Sequence, residues 1–294
     1  MNNVTWKREL ESIAKNIDEN IIRKSINIAS LYLDDVERIR YNLDCGCGYH
    51  IINNVPIDSV LPPPPLSGLR PYDKTYISEL ALSGITGALG YNLFSYEQEK
   101  KGSFFHEITP IKGKEKTKSS NGVIDFSFHT DAAYLDHNLR PEVLALICLN
   151  NECNTGTQIV SLELLLKELE TSTINTLKSN NFIIRSPDSF DVRQESQTAI
   201  LYENDDRTEI QLSIEVTTPL TEKAKKSLME LTELANQIAD TLMWKPGDFL
   251  IFNNRRTLHG RKAIQGVRWL QRCYGSQMIP AFTKINLIED LNHE

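Results

Sequence analysis

The sequence predicts a mainly β domain with flanking helices, and a jelly-roll barrel is the architecture that fits it best. Two observations support this fold class. Many short strand-like segments follow an N-terminal helical region at 1–45, and two helical insertions interrupt them at about 161–182 and 221–242. At 294 residues the chain suits one large domain. We therefore expect residues 1–294 to form a single domain, with the N-terminal helices packed on the barrel.

The N-terminal third alternates helical and extended patterns. Apolar residues recur every three or four positions from 5 to about 33, which predicts one amphipathic helix. Residues 49–52 resemble a strand, and four consecutive prolines at 62–65 predict a stiff extended connector. A second helix is predicted over 76–89, and a strand over 102–110.

A charged segment precedes the region that carries the candidate site. Residues 112–118 contain four lysines among seven positions. Such a run usually forms a solvated loop, but its place in the chain leaves a second possibility open, a mobile lid over the site.

The remaining elements are mostly strands. Alternating apolar and polar residues over 209–216 predict one half-buried strand, whose polar face points either into the barrel or to solvent. A regular apolar spacing predicts a long helix over 221–241. Further strands are predicted at 142–149, 158–160 and 249–252.

Composition excludes few protein classes. The net charge of -7 gives no general reason to expect nucleic acid as a partner, and no apolar run approaches the roughly 20 residues that span a bilayer. The first residues lack the apolar core of a secretory signal, so we expect a cytoplasmic protein that binds no membrane. Five cysteines, an odd number, argue against a disulfide framework.

One pair of side chains indicates a metal. His129 and Asp131 lie two positions apart, so in an extended strand they point the same way. With His259 they would supply two histidines and one carboxylate, the donor set of the facial triad in non-haem Fe(II) oxygenases. The pair by itself is common, so the hypothesis depends on the residues around His259.

Two arginines follow that histidine at a strand-like spacing. Arg268 and Arg272 would share one face of a strand, about 13 Å apart at roughly 3.3 Å per residue. Guanidinium groups bind carboxylates through paired hydrogen bonds, so two of them in one cavity could hold a cosubstrate and a substrate. The alternative is that both arginines form ordinary surface salt bridges.

These motifs together resemble the taurine dioxygenase superfamily of Fe(II)/2-oxoglutarate oxygenases, and its clavaminate synthase-like branch in particular. The motifs are Phe128-His129-Thr130-Asp131, Arg140-Pro141-Glu142, Asn253-Asn254-Arg255, His259-Gly260 and Arg268-Trp269-Leu270-Gln271-Arg272. The resemblance spans most of 45–280 and implies a double-stranded β-helix core.

The resemblance also implies roles for single residues. His129, Asp131 and His259 would be the catalytic iron ligands, and Arg268 and Thr157 would bind 2-oxoglutarate. Arg272 would hold the acidic group of the substrate. Many members of the branch have glutamate at the place of Asp131, but either carboxylate can bind iron. A carboxylate there favours hydroxylation over halogenation, with O2 as the second cosubstrate and succinate and CO2 as products.

The expected substrate is a free L-amino acid, with lysine favoured. An ammonium group would need acidic or polar neighbours, for which the sequence offers Glu107, Glu215 and Asp125. Gln211 and Ser213 stand where arginine hydroxylases of the branch carry a pair of aspartates, which disfavours a guanidinium substrate. Three alternatives stay open: a sulfonate or other small acid, a carrier-bound amino acid, and a non-enzymatic jelly-roll binding protein. The sequence does not predict the oligomeric state.

Overall fold

The computed structural model describes residues 3–205 and 207–278, together with the backbone of 285–287. In this part of the chain the strands all pair in antiparallel fashion, and helices flank them. The helices are α1 (Asn3–Ile13), α2 (Glu19–Tyr32), α3 (Val36–Asp44), α4 (Ile77–Ala88), α5 (Leu162–Glu168), α6 (Thr171–Leu177) and α7 (Glu222–Ile238). The strands are β1 (Tyr49–Ile52), β2 (Asn92–Tyr96), β3 (His106–Ile108), β4 (Phe126–His129), β5 (Val143–Asn150), β6 (Thr157–Ser161), β7 (Phe182–Arg185), β8 (Glu195–Thr198), β9 (Leu201–Asn204), β10 (Arg207–Ile210), β11 (Thr217–Pro219), β12 (Asp240–Leu242), β13 (Phe249–Asn253), β14 (Thr257–Arg261), β15 (Trp269–Ser276) and β16 (Ile285–Leu287). The predicted fold class, mainly β with flanking helices, is confirmed.

The N-terminal region contains three helices, and the prediction of one continuous helix over 5–33 is wrong. The chain breaks after α1, and α2 begins at Asp18, whose carboxylate accepts a hydrogen bond from the Ile21 amide at 2.9 Å. An aspartate at this position satisfies an amide that has no partner within the helix, so it starts a new helix. The apolar faces of α1, α2 and α4 share one core.

The larger sheet has the order β1-β13-β5-β15-β2-β16, with β3 also paired to β15. Side chains alternate along β15 because successive strand residues point to opposite faces. Trp269 and Cys273 pack in the core under the helices, whereas Leu270 and Tyr274 pack in a second core on the other face.

The smaller sheet has the order β12-β6-β14-β4 and carries the predicted metal ligands. A narrow pocket lies between the two sheets. Leu144, Leu146 and Leu270 line it from the larger sheet, and Thr157 and His259 line it from the smaller one.

Two boundaries in the C-terminal half differ from the predictions. The long helix ends at Ile238 rather than 241, because residues 240–242 form β12, which pairs with β6. The predicted strand 209–216 is wrong beyond Ile210: the chain leaves the ladder there and makes a single helical turn at Ile214–Val216. Of the apolar residues that suggested one strand, Ile210, Leu212 and Ile214 still pack into the core that includes α7.

Candidate active site

Three side chains that could hold a metal meet at the smaller sheet. His129 ends β4, Asp131 follows two residues later, and the register of β14 on β4 sets His259 opposite His129. The ligand atoms of these residues all lie within 4.8 Å of one another. In the described residues, this is the one group of three or more such side chains found close enough to share an ion.

The hydrogen bond of His129 and the position of His259 suit metal binding. His129 donates from Nδ1 to the Ser127 carbonyl at 2.9 Å, so its Nε2 carries the lone pair and lies 3.4 Å from Asp131 Oδ1. His259 Nε2 lies 3.5 Å from the same oxygen, and burial together with the nearby His129 lowers the pKa of His259 to about 4. Both imidazoles and one carboxylate oxygen therefore converge on one point, and this mixed N/O donor set fits Fe(II).

The second oxygen of Asp131 faces away from the histidines. Oδ2 accepts hydrogen bonds from Arg272 and, at 3.0 Å, from the Tyr274 hydroxyl. Burial by itself would raise the pKa of Asp131, but the Arg272 guanidinium and the two histidines hold it well below its usual range. Asp131 is thus charged, with one oxygen held by the protein and one directed at the candidate metal site.

Asn254 fixes the main chain at Asp131, a role that sequence reasoning missed. Its side-chain oxygen accepts from the Asp131 amide at 2.8 Å, and its Nδ2 donates to the carbonyls of Asp131 and Pro141 at 3.0 and 3.1 Å. Only 1% of Asn254 is exposed. Asn254 belongs to the sequence motif Asn253-Asn254-Arg255, but the spacing of that motif does not predict a contact with Asp131.

Arg272 joins two acids in one buried cluster. Besides Asp131, it donates to Glu99 at 2.9 Å and to His106 Nδ1 at 2.6 Å. The Tyr274 hydroxyl also lies 2.9 Å from Glu99 Oε2, so Glu99 and Asp131 share its single proton. Burial raises the pKa of Glu99, although Arg272 partly opposes this, and burial together with Arg272 lowers the pKa of His106 well below its usual range. Tyr274 could have been inferred, since it lies two residues after Arg272 on the same face, but no motif marks Glu99.

Arg268 lies in the narrow pocket beside the histidines. Its NH2 group donates to the Thr157 hydroxyl at 3.0 Å, and its Nε donates to the Thr155 carbonyl at 3.4 Å. Trp244 also donates to the Thr157 hydroxyl, at 2.9 Å. Arg268 is 3% exposed, has no ion pair with any described acid, and burial lowers its pKa to about 10. A buried guanidinium without a carboxylate partner is a site for an anion.

A cavity of about 420 Å³ opens next to the ligand cluster. His129, Asp131 and Arg272 form its inner wall, together with Glu99 and Tyr274. Its outer wall comes from three segments, at 116–120, 185–190 and 213–216. The lysine-rich segment 112–118 forms turns, in agreement with the predicted loop. Its last residues line the cavity.

Two of the predicted substrate contacts line this cavity. Ser213 forms an isolated antiparallel bridge with His129, and Glu215 follows it in the helical turn. The Glu215 carboxylate accepts hydrogen bonds from the Ser127 hydroxyl and, at 2.7 Å, from Lys118 Nζ.

The structure does not bring the other predicted contacts to the cavity. Glu107 lies on the opposite face of the sheet, where its carboxylate accepts from Trp269 Nε1 at 2.5 Å and from the Gln271 amide at 2.9 Å. Gln211 is turned inward and donates to a hydroxyl and a carbonyl just before β9. Asp125 accepts from the main chain after β14. Glu107 and Gln211 are buried in internal contacts, whereas Asp125 is exposed and pairs with Lys262 on the surface. The sequence pattern could not identify these outcomes, because it does not say which face of a segment borders a cavity.

The sequence of the chain is similar to those of known proteins. A family model described as taurine catabolism dioxygenase TauD, TfdA family, matches residues 78–274. An L-asparagine oxygenase of Streptomyces coelicolor is 27% identical over 284 residues, covering 92% of this chain and 84% of that protein. Clavaminate synthase 2 of Streptomyces clavuligerus is 26% identical over 245 residues, covering 77% and 73%.

Solved structures share the fold. The crystal structure of an asparagine oxygenase in complex with Fe(II), (2S,3S)-3-hydroxyasparagine and succinate superposes with a TM-score of 0.82 and 23% identity. The match covers 94% of this chain and 91% of that one. In the described residues of the present chain, no helix is both long enough and apolar enough to cross a membrane.

Proposed function

Because this chain belongs to the TauD/TfdA family of dioxygenases, we propose that it hydroxylates an unactivated C–H bond of a free L-amino acid. The family resemblance inferred from the sequence is confirmed, and so is the enzyme class: the protein is a 2-oxoglutarate-dependent dioxygenase that uses Fe(II), 2-oxoglutarate and O2. This excludes a non-enzymatic binding protein. Curated relatives of the chain are named as oxygenases or hydroxylases of free amino acids.

His129, Asp131 and His259 are the residues that would hold the iron. When bound, Fe(II) and 2-oxoglutarate activate O2, so that one oxygen atom enters the substrate and the other enters succinate as CO2 is released. The protein contributes the position of the three ligands. In our proposal the Ser127 carbonyl orients one imidazole, and Arg272 and Tyr274 keep the second carboxylate oxygen of Asp131 turned away from the metal.

Arg268 and Thr157 would bind the distal carboxylate of 2-oxoglutarate. Support comes from the burial of the Arg268 guanidinium, from its lack of an acidic partner in the described residues, and from its place in the pocket that His129 and His259 also line. A dianion there would satisfy a cation that the protein leaves without a carboxylate.

The observation that carries the amino acid proposal is a pair of opposite charges in the cavity wall. Arg272 and Glu99 are 2.9 Å apart, both are buried, and both line the cavity beside Asp131. An L-amino acid presents a carboxylate and an ammonium on one carbon, so it complements such a pair. Two carboxylates, Glu99 and Asp131, share the one Arg272 guanidinium, so a substrate ammonium can balance the remaining negative charge. Arg272 Nε is buried without a hydrogen-bond partner in the described residues, which leaves a donor for the substrate carboxylate.

The side chain of the substrate is less constrained. Lysine, favoured from the sequence, needs a free carboxylate at the outer end of the cavity. The two acids there are already paired: Glu215 with Lys118 at 2.7 Å, and Asp188 with Arg193 at 3.3 Å. We therefore rank a neutral polar side chain first, of which asparagine is an example, and keep lysine as the second candidate.

The whole range 1–294 is proposed to be one dioxygenase domain, although its ends and Asp206 lie outside the described residues. The family match covers 78–274, and α1 and α2 share a core with α4 inside that range. The larger sheet and the smaller sheet would be the two faces of the double-stranded β-helix that the family resemblance implies.

A single assay tests the proposal. Purified protein is loaded with Fe(II) under anaerobic conditions, mixed with 2-oxoglutarate and a panel of L-amino acids, and exposed to O2. We expect succinate in a one-to-one ratio with a product that has gained one oxygen atom. The matching amine and the matching deaminated acid should each be poor substrates, since each lacks one of the two charges. Turnover of taurine or a small acid instead, or only of a carrier-bound amino acid, would overturn the free amino acid proposal.

A further inference from the structure

We propose that Lys118 determines which side-chain charge the enzyme accepts. Lys118 pairs with Glu215 in the cavity wall, so this carboxylate is not available to bind a cationic substrate. This inference rests on the proposed function, because it concerns the side chain of the amino acid that the cavity would hold. It adds a specificity-determining residue at the end of the lysine-rich segment 112–118.

The pair closes the outer part of the cavity. Lys118 Nζ lies 2.7 Å from Glu215 Oε2, and both residues line the cavity wall. The Glu215 side chain is 20% exposed, whereas that of Lys118 is 58% exposed. The carboxylate therefore belongs to the wall, and the ammonium reaches it from the solvent side.

Glu215 is held in a fixed position relative to the metal ligands. Its other oxygen accepts a hydrogen bond from the Ser127 hydroxyl, and the Ser127 carbonyl accepts from His129 Nδ1. A cation bound to Glu215 would thus stand at a defined place with respect to the reacting centre. Once Lys118 is removed, the Glu215 carboxylate is available to a substrate ammonium or guanidinium.

The loop brings Lys118 to this position from an anchored base. Arg261, two residues after His259, donates to the carbonyls of Ser119 and Gly122, and also to that of Ile124. The attachment of Lys118 to this fixed segment raises its local concentration at Glu215 above that of a free substrate. A partly exposed ion pair is weak, so one substitution can release the carboxylate without disturbing the fold.

The experiment compares four variants with the parent enzyme. These are Lys118→Gln, Glu215→Gln, the double variant, and the control Lys114→Gln, which removes the same charge from the same loop at a position outside the cavity lining. For each we measure kcat/KM by succinate release, with asparagine and glutamine as neutral substrates and ornithine and lysine as cationic ones.

Lys118→Gln should raise the ratio of cationic to neutral kcat/KM by about fivefold, the upper end of what a partly exposed ion pair contributes. Lys114→Gln should leave the ratio unchanged, and the double variant should lose the gain because the carboxylate is gone. A ratio within twofold of the parent in Lys118→Gln, or a gain that persists in the double variant, would overturn the inference.

A binding measurement distinguishes a failure of this inference from a failure of the proposed function. If the parent turns over no L-amino acid of the panel, the proposed function fails. Calorimetry on the anaerobic complex with Fe(II) and 2-oxoglutarate then measures the same ratio for the four amino acids as dissociation constants. Tighter binding of lysine to Lys118→Gln would then support the role of Lys118. Equal binding to both proteins, or no binding to either, would refute it.

Discussion

Asn254 offers the sharpest test of how the protein positions its metal ligands. The substitution Asn254→Ala removes three hydrogen bonds, two to the main chain of Asp131 and one to Pro141. Each such bond contributes about 1 kcal/mol, and buried groups left without a partner cost more, so we expect a loss of about 3 kcal/mol in the free energy of unfolding. Because Asp131 would also lose its fixed position, Fe(II) affinity should fall by roughly 10- to 100-fold.

Two measurements check this prediction, urea unfolding of the metal-free protein and anaerobic titration with Fe(II). The neighbouring substitution Asn253→Ala is the matched control, since the Asn253 side chain accepts a hydrogen bond from the Arg255 amide at 2.9 Å, whereas the bonds to Asp131 come from Asn254. It should destabilise the fold while leaving Fe(II) affinity within about twofold, as expected for a residue that does not touch a ligand. If both variants lose affinity equally, Asn254 contributes only to general stability and the positioning argument is refuted.

Three further predictions concern the strand pair, the cosubstrate and pH. A Cβ at Gly260 would lie 2.7 Å from the Phe126 carbonyl oxygen, so Gly260→Ala should push β14 away from β4. We expect a loss of about 1–3 kcal/mol in the free energy of unfolding and weaker Fe(II) binding. Unchanged Fe(II) affinity would contradict this prediction. Arg268→Lys should raise the KM for 2-oxoglutarate by roughly tenfold with a smaller effect on kcat, because lysine cannot form the paired hydrogen bonds of a guanidinium with a carboxylate. Succinate release measured at varied 2-oxoglutarate concentration tests this, and an unchanged KM would refute it. Burial opposes ionisation of Glu209, but hydrogen bonds from His137 and Tyr202 lower its pKa to about 2. Its ionised form therefore stabilises the fold above pH 4.5, by roughly 2–3 kcal/mol, and this contribution is lost as pH falls toward 2. The stability difference between the parent and Glu209→Gln should shrink between pH 6 and pH 3 in urea unfolding, and a constant difference would contradict the assignment.

The strongest local patterns predicted their elements well. The 76–89 helix, the 249–252 strand and the 142–149 strand all appear within a residue or two of the predicted limits. The failures have a common cause. The period of apolar residues continues through the break at Asp18 and through the turn after Ile210, because both segments still face a core. Periodicity reports burial, whereas a break depends on capping groups and on strand partners distant in the chain.

The family, the mainly β class and the candidate metal ligands could all be predicted from the sequence, because short-range spacing and motifs encode them. His129 and Asp131 share a direction as a consequence of strand geometry, and so do Arg268 and Arg272. The groups that surround these four residues could be identified only from the folded structure.

Glu99, Asn254 and the pair of Lys118 with Glu215 come from turns and loops far apart in the chain, where no period constrains a side chain. Their positions follow from sheet pairing, in which β14 aligns with β4 and β15 packs beside β5. Two of the three candidate metal ligands, His129 and Asp131, are close in the sequence, whereas His259 joins them only through the pairing of β14 with β4. The shape and charge of the candidate substrate cavity likewise arise from contacts between segments that are distant in the chain.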